Sequence, residues 1–514
     1  MQVTRSPRTV LAAALGVLAL TATACTLPGQ SSTKTSTASV APQPPPSNMA
    51  GADTFYSQHL VWKSCGNNEC TKLLVPVDYA KPDGDTIQLA VVKVPAKGRS
   101  KGALVVNPGG PGGSGVDYAL AADFIVGAPV RKAYDIVGFD PRGVGRSAPI
   151  TCVKDSELDA FLAFDPTPDD PAEEQAFSDN AKSFASSCAQ NAGPLLPHVS
   201  TVDAAKDMDV LRAALGETKL NYLGKSYGTF LGSTYAGLFP KNVGRFVLDG
   251  VVPPELTNEQ LNLGQAEGFE RATRAWAQSC VDTGDCVLGS SVDEVMQGLR
   301  DLFTTIDQSP VSDTGDSSVP RLTEGWASTG VAYAMYDESL WPKLDDALRA
   351  LVENKDGSEL MSMADSYADR DKGGGYSDNI MQVIYAVNCL DRPDTASLAD
   401  HERQATEAEK VAPTWGAFLM WSSMPCAFWP DKPAAPPAKI SAEGSGLIVV
   451  VGTTRDPATP YEWSVMLNKE LANSTLITFD GDGHTAYTRS NSCVDNAIDA
   501  YYVKGTPPPA DLKC

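Results

Sequence analysis

"LNYLGKSYGT", residues 220–229, decides how this chain is read. An apolar run, Leu220 to Leu223, leads into Gly224-Lys225-Ser226-Tyr227-Gly228, and a helix-compatible run, "TFLGSTYAGLF", follows. G-x-S-x-G between a strand and a helix is the pattern of a nucleophile elbow. Two glycines remove side chains that would clash in so sharp a turn. The serine is then presented at a helix N-terminus, where amides and the helix dipole favour developing negative charge. Taken alone, the pattern also fits an ordinary Gly-rich loop, so the decision rests on the rest of the chain.

Working outward, short buried runs ended by Gly, Asn or Asp recur: "GALVVN" (102–107), "YDIVGFD" (134–140), "LNYLG" (220–224) and "RFVLDG" (245–250). Such runs are typical of central parallel strands. "KLLVPVDY" (72–79) and "TIQLAVVKV" (86–94) read as earlier strands, and "TVDAAKDMDVLRAALG" (201–216) as a helix closed by Gly216. After residue 254 the periodicity turns helical and stays so until "LIVVVG" (447–452), followed by the strand "STLITFDG" (474–481) and a closing helix, "NAIDAYYV" (496–503). The expected fold is α/β: a mostly parallel eight-stranded sheet with a large helical cap inserted in it. The expected boundaries are core at 59–254, cap at 255–440 and core again at 441–514.

A serine hydroxyl is a weak nucleophile at neutral pH and needs a base. The chain has four histidines, His59, His198, His401 and His484. His59 and His198 precede the elbow, and His401 sits in the charged segment "ADHERQ", expected to be a solvated helix. His484, in "FDGDGHTAY" after the last strand, is the expected base. Asp456, in "VVVGTTRDPATP" after the penultimate strand, is the expected orienting acid. Asp-Pro sequences also make ordinary Asx turns, and Asp249 is the competing acid. The order Ser226, Asp456, His484 is that of the α/β-hydrolases. Donors for an oxyanion are expected from "VVNPGGPGGSG" (105–115): the Gly110 amide, with the Tyr227 amide directly after the serine. Ser114, in G-G-S-G, lacks the elbow spacing. Nothing in that loop matches GxGxxG or GK[ST].

The chain's 514 residues carry a net charge of −22, which disfavours nucleic-acid partners. Arg5 and Arg8 followed by "VLAAALGVLAL" (10–20) form a signal peptide ending near Ala24. Cys25, after "TATA", resembles a lipobox cysteine and is the expected lipidation site. Residues 25–58, rich in Ser, Thr and Pro, are expected to be a tether. The expected location is therefore outside the cytoplasmic membrane, either lipid-anchored on its outer face or secreted into the wall. Membrane contact would be through the anchor only. Ten further cysteines, an even number, suggest disulfides in an exported chain. Sequence neighbours suggest 65–70, 152–188, 280–286, 389–426 and 493–514, although spacing does not determine connectivity. With no CxxC and no Cys/His cluster, no metal or other cofactor is expected.

"NPGGPGGSG", "DIVGFDPRGVGRS", "YLGKSYGT", "GTTRDPATP" and "GDGHT" together resemble the secreted proline-iminopeptidase-like α/β-hydrolases of actinobacteria. The tripeptidyl aminopeptidases and the mycobacterial carboxylesterase-type lipoprotein serine proteases are the close groups. The resemblance runs from about residue 60 to 514. It implies Ser226, Asp456 and His484 as nucleophile, acid and base beneath a helical cap. It also implies release of short peptides from free N-termini, with esterase activity. Asn107-Pro108 stands where prolyl aminopeptidases usually have His-Gly, and Lys225 fills the elbow's variable position. Asp140 and Arg142 are expected to form a supporting turn. The expected function is that of an exported serine aminopeptidase acting on peptides or small esters, with acidic cap residues receiving the substrate ammonium. A carboxylesterase or lipase acting on envelope lipids is the alternative. A non-catalytic surface module is a third reading, opposed by the presence of every catalytic part.

Overall fold

The computed structural model describes residues 43–431 and 437–514; the signal segment and Cys25 lie outside them. The apolar runs form one sheet of ten strands: β1 Lys63–Cys65, β2 Asn68–Pro76, β3 Thr86–Val94, β4 Ala103–Asn107, β5 Asp135–Phe139, β6 Leu220–Lys225, β7 Val243–Asp249, β8 Ile448–Arg455, β9 Ser474–Asp482 and β10 Leu512–Lys513. Their spatial order is β1-β2-β3-β5-β4-β6-β7-β8-β9-β10. Pairings from β1 to β5 are antiparallel and all those from β5 to β10 are parallel.

The sheet is wider than the eight strands expected, by one short strand at each edge. Both additions are stapled. Cys65–Cys70 closes the β1–β2 hairpin, and Cys493–Cys514 ties the C-terminus, which carries β10, to the helix Ser492–Lys504. Two- and three-residue strands leave little periodicity to read, which is why the sequence did not announce them.

Side chains alternate across the sheet. Val105, Tyr222, Leu248 and Val450 join the core on one face, and Val106, Leu223, Val247 and Val451 join that on the other. The central strands are buried on both faces because helices cover each, and their sequences therefore run almost continuously apolar. The helix expected at 201–216 spans Thr201–Ala214, capped by Ser200, whose side chain accepts from the Asp203 amide.

Between β7 and β8 the chain is helical from Asn258–Asp282 through Met424–Ala427, with no named strand among the described residues. These helices enclose their own core, in which Trp276, Trp326 and Trp415 are fully buried. The helix Pro171–Asn191, inside the first core segment, also leans on this region: the Phe177 ring packs, tilted, against Trp421 at 5.7 Å. All five suggested disulfides are formed.

The tether expected over 25–58 is shorter in its described part. Met49, Ala52, Phe55 and Tyr56 are buried, and Tyr56 Oη donates to Asp209 Oδ2 at 2.6 Å. The average composition of the segment is that of a linker, but four apolar side chains at its end are enough to dock it.

Candidate active site

β6 delivers the chain directly into the turn. Ser226 has φ 56° and ψ −128°, and the helix Tyr227–Leu238 starts at the next residue. A non-glycine residue held there costs about 1–3 kcal/mol, so its surroundings must impose it. The Ser226 amide donates to the Asp249 carbonyl at 3.0 Å, and the Ser226 carbonyl accepts from the Thr229 amide at 2.8 Å and hydroxyl at 2.6 Å. Gly224 is required because a Cβ there would lie 2.3 Å from the Gly228 carbonyl oxygen.

Asp456 and His484 are brought into direct contact across the ends of β8 and β9. Asp456 is fully buried, and its Oδ1 lies 2.9 Å from His484 Nδ1. The same carboxylate accepts the Ala458, Thr459 and Thr485 amides at 3.0, 2.8 and 3.1 Å and the Thr459 hydroxyl at 2.9 Å. One carboxylate therefore both closes the turn at 456–459 and holds the His484 ring. With Nδ1 held by a carboxylate, the imidazole carries its proton there and leaves Nε2 as an acceptor.

No hydrogen bond joins Ser226 Oγ to His484 Nε2 among the described residues. Gly250 bridges the two regions: its predecessor's carbonyl binds the Ser226 amide, and a Cβ on Gly250 would lie 3.4 Å from His484 Cε1. Such contacts often tighten only when substrate engages. On its other side His484 meets the helical region. Its amide donates to the Tyr336 carbonyl at 2.9 Å, and the two rings stand edge to face at 5.2 Å. Arg489 extends this contact, reaching the Tyr336 carbonyl and, at 2.8 Å, Asp337.

The glycine loop after β4 lies on the elbow. A Cβ on Gly109, whose φ is +104°, would sit 2.7 Å from the Lys225 carbonyl oxygen and 3.0 Å from the Tyr227 amide. The Gly109 amide is engaged by Asn107 Oδ1 at 3.0 Å, whereas the Gly110 amide has no protein acceptor among the described residues. Tyr227, as the first helical residue, has no intrahelical acceptor for its amide. Gly110, Ser226 and Tyr227 line one cavity of about 290 Å³. Ser114 is used as the cap of the helix Gly115–Leu120 and donates to Asp140 Oδ1 at 2.5 Å. Arg142 makes a buried two-pronged pair with Asp207 at 2.7 Å on each arm. Both residues of the "DPRG" turn thus support the loops beneath the site.

Lys225, a departure at a variable position in the sequence, has defined partners in the structure. Its ammonium is buried and donates to the Tyr487 carbonyl at 2.6 Å, 3.7 Å from Asp249 Oδ2. Asp249 in turn accepts the Ala486 and Tyr487 amides, each at 2.9 Å. The residue before Ser226 thereby grips the loop that carries His484. Burial holds the Lys225 pKa down, opposed by the Asp249 charge, but a neutral amine still donates to the carbonyl. Lys225→Met is expected to lower kcat by about 10- to 100-fold, by displacing the imidazole, with KM within about threefold of wild type. Steady-state kinetics on an ester reads this; an unchanged kcat would remove Lys225 from the machinery.

Other expectations fare differently. His401 lies on the helix Leu398–Glu409 but is fully buried, stacked on Trp421 at 6.0 Å, rather than solvated. The surrounding charges mark the helix's outer face, and one apolar-facing position escapes a composition-based reading. No carboxylate lines the cavity among the described residues; Glu324 and Asp165 stand one residue from lining residues Gly325, Phe164 and Pro166. Both are held above the usual carboxylate range, chiefly by burial. Asp165, Glu173 and Asp307 bring carboxylate oxygens within 4.8 Å of one another, a grouping that acidic surfaces often show without an ion.

The strand order, the elbow and the Asp–His pair define an α/β-hydrolase. A profile described as alpha/beta hydrolase fold matches residues 102–293, and one described as TAP-like protein matches residues 412–514. The chain belongs to this family of serine hydrolases. It is 41% identical over 486 residues to the serine protease Hip1 of Mycobacterium tuberculosis, covering 90% of this chain and 92% of that one. It is 37% identical over 455 residues to carboxylesterase B of the same organism, covering 87% and 86%. It is 36% identical over 472 residues to a tripeptidyl aminopeptidase of Streptomyces lividans, covering 88% and 86%.

Proposed function

We propose that the protein is an exported aminopeptidase that releases short peptides from free N-termini through an acyl-enzyme on Ser226, and that also hydrolyses esters. The observation that carries the reading is Ser226, held at φ 56° on the wall of a cavity roofed by helices, with the Asp456–His484 pair on the adjoining loops. Ser226 Oγ attacks the scissile carbonyl while His484 Nε2 takes its proton. The Gly110 and Tyr227 amides receive the oxyanion. His484 then protonates the leaving amine, and water repeats the sequence on the acyl-enzyme. Asp456 fixes the imidazole and stabilises its cation. A roofed cavity of about 290 Å³ favours the end of a chain over the middle of a folded one. Kinship with a tripeptidyl aminopeptidase and a serine protease supports peptide substrates.

An esterase acting on envelope lipids is the second reading, and one observation favours it. Apart from Arg392, the charged side chains of the insertion are not on the cavity wall, which is lined largely by apolar and aromatic side chains such as Phe161, Phe164, Phe269, Trp415 and Phe418. A panel of free and N-acetylated peptides alongside acyl esters, with products identified by mass spectrometry, separates the two. Free peptides are expected to be cleaved at least tenfold faster than their acetylated forms, as expected where a charged terminus is recognised. Equal rates would defeat the aminopeptidase reading. Export is supported by the five disulfides. No helix among the described residues is long and apolar enough to cross a membrane. Attachment through a lipid on Cys25 is read by the intact mass of the mature protein.

A further inference from the structure

We propose that Arg392 and Asn262 form a subsite for a carboxylate carried on the acyl side of the substrate. Arg392 is the one charged side chain among the described residues that line the cavity holding Ser226. It is 1% exposed. Its Nε donates to the Leu256 carbonyl at 3.0 Å and its guanidinium lies over the Phe230 ring at 4.5 Å, but Nη2 has no hydrogen-bond partner among the described residues. A buried cation is costly unless paired. The adjacent carboxylate is committed elsewhere: Asp391 accepts the Thr201 amide at 2.9 Å and its hydroxyl at 2.6 Å. Burial pushes the Asp391 pKa up to about 6, and it holds the Arg392 pKa down, opposed by the Asp391 charge.

A second donor lines the same cavity in the same condition. Asn262 is 6% exposed and its Nδ2 has no partner among the described residues. Asn262 lies on the helix Asn258–Asp282, and Arg392 directly follows the helix Ile380–Asp391. Asn258, one turn before Asn262, donates to the Arg392 carbonyl at 2.8 Å. Asn388, one turn before Arg392, also lines the cavity. Two unpaired N–H donors, one of them cationic and planar, call for an acceptor-only, anionic ligand of matching shape, and a carboxylate is that group. Phe230 stands one turn after Ser226 on the elbow helix, so the subsite adjoins the reacting carbonyl rather than a remote surface.

The subsite deepens the peptidase reading and rests on it for the substrate's form, an aspartate or glutamate side chain in the segment to be released. The test uses reporter peptides with Glu or Gln at each of the three residues before the scissile bond. A parallel pair of esters carries an acyl chain ending in a carboxylate or in its amide. In the wild-type protein, Glu is expected to exceed Gln in kcat/KM by about 10- to 100-fold at one position. That ratio is expected to fall toward one in Arg392→Met and to shrink in Asn262→Leu. Equal ratios for Glu and Gln at every position, together with no acid preference in the esters, overturn the proposal. If peptides are not cleaved but the carboxylate ester is preferred, the aminopeptidase reading falls and the subsite stands. Should Arg392→Met fail to fold, the wild-type ratios and Asn262→Leu still decide.

Discussion

Ser226→Ala is expected to lower turnover of peptides and esters alike by about 10⁴- to 10⁶-fold. On the proposed mechanism the loss is large, because the Ser226 hydroxyl would form the acyl bond. The methyl group also fits the turn: Ser226 Oγ makes no hydrogen bond among the described residues, and the φ of 56° is imposed by the Asp249 and Thr229 contacts to the backbone. The variant should therefore keep its melting temperature to within a few degrees, an expectation for a substitution that removes no packed atom or buried hydrogen bond. A residual rate above about 1% of wild type would mean that another group carries the chemistry.

Asp456→Asn is expected to cost about 10⁴-fold in kcat and, unlike the serine variant, about 2–4 kcal/mol of stability. Five donors converge on this carboxylate: three amides, the Thr459 hydroxyl and the His484 ring. An asparagine can turn its oxygen to only part of that ring of donors. Its NH₂ would then oppose the Thr485 amide, the Thr459 hydroxyl and His484 Nδ1. The imidazole responds by moving its proton to Nε2, the atom that must accept from Ser226. Kinetics on an ester with a melting curve on the same sample checks both effects. Asp249→Asn is the control: it should loosen the 486–487 loop but leave the tautomer, so a larger kcat loss there than at Asp456 would exchange the two acids' roles.

The parts of this molecule that were legible in its sequence are those where one physical constraint acts along a continuous stretch. The central strands were found because burial on both faces makes them apolar throughout, and the elbow because its turn excludes side chains at 224 and 228. Asp456 and His484 could be placed because each follows a strand whose position in the sheet was already implied. What escaped was made by packing between distant segments. Lys225 looked like a departure at a variable position, since its partner is a backbone carbonyl 262 residues away. Arg392 was one arginine among many until the helices showed which side chain lines the cavity. Phe55 and Tyr56 were lost in a linker-like average. His401 was judged by its charged neighbours along the chain instead of by the Trp421 ring beneath it.

The contact between Tyr336 and His484 joins the helices over the cavity to the loop after β9. The Tyr336 carbonyl holds the His484 amide, its ring packs on the imidazole, and Arg489 and Asp337 fasten the same junction. A roof attached in this way cannot swing clear as a rigid lid without pulling on the loop that aims the imidazole. Any outward displacement of these helices would therefore pull on His484, so a substitution within the helical region can disturb the Asp456–His484 pair from a distance.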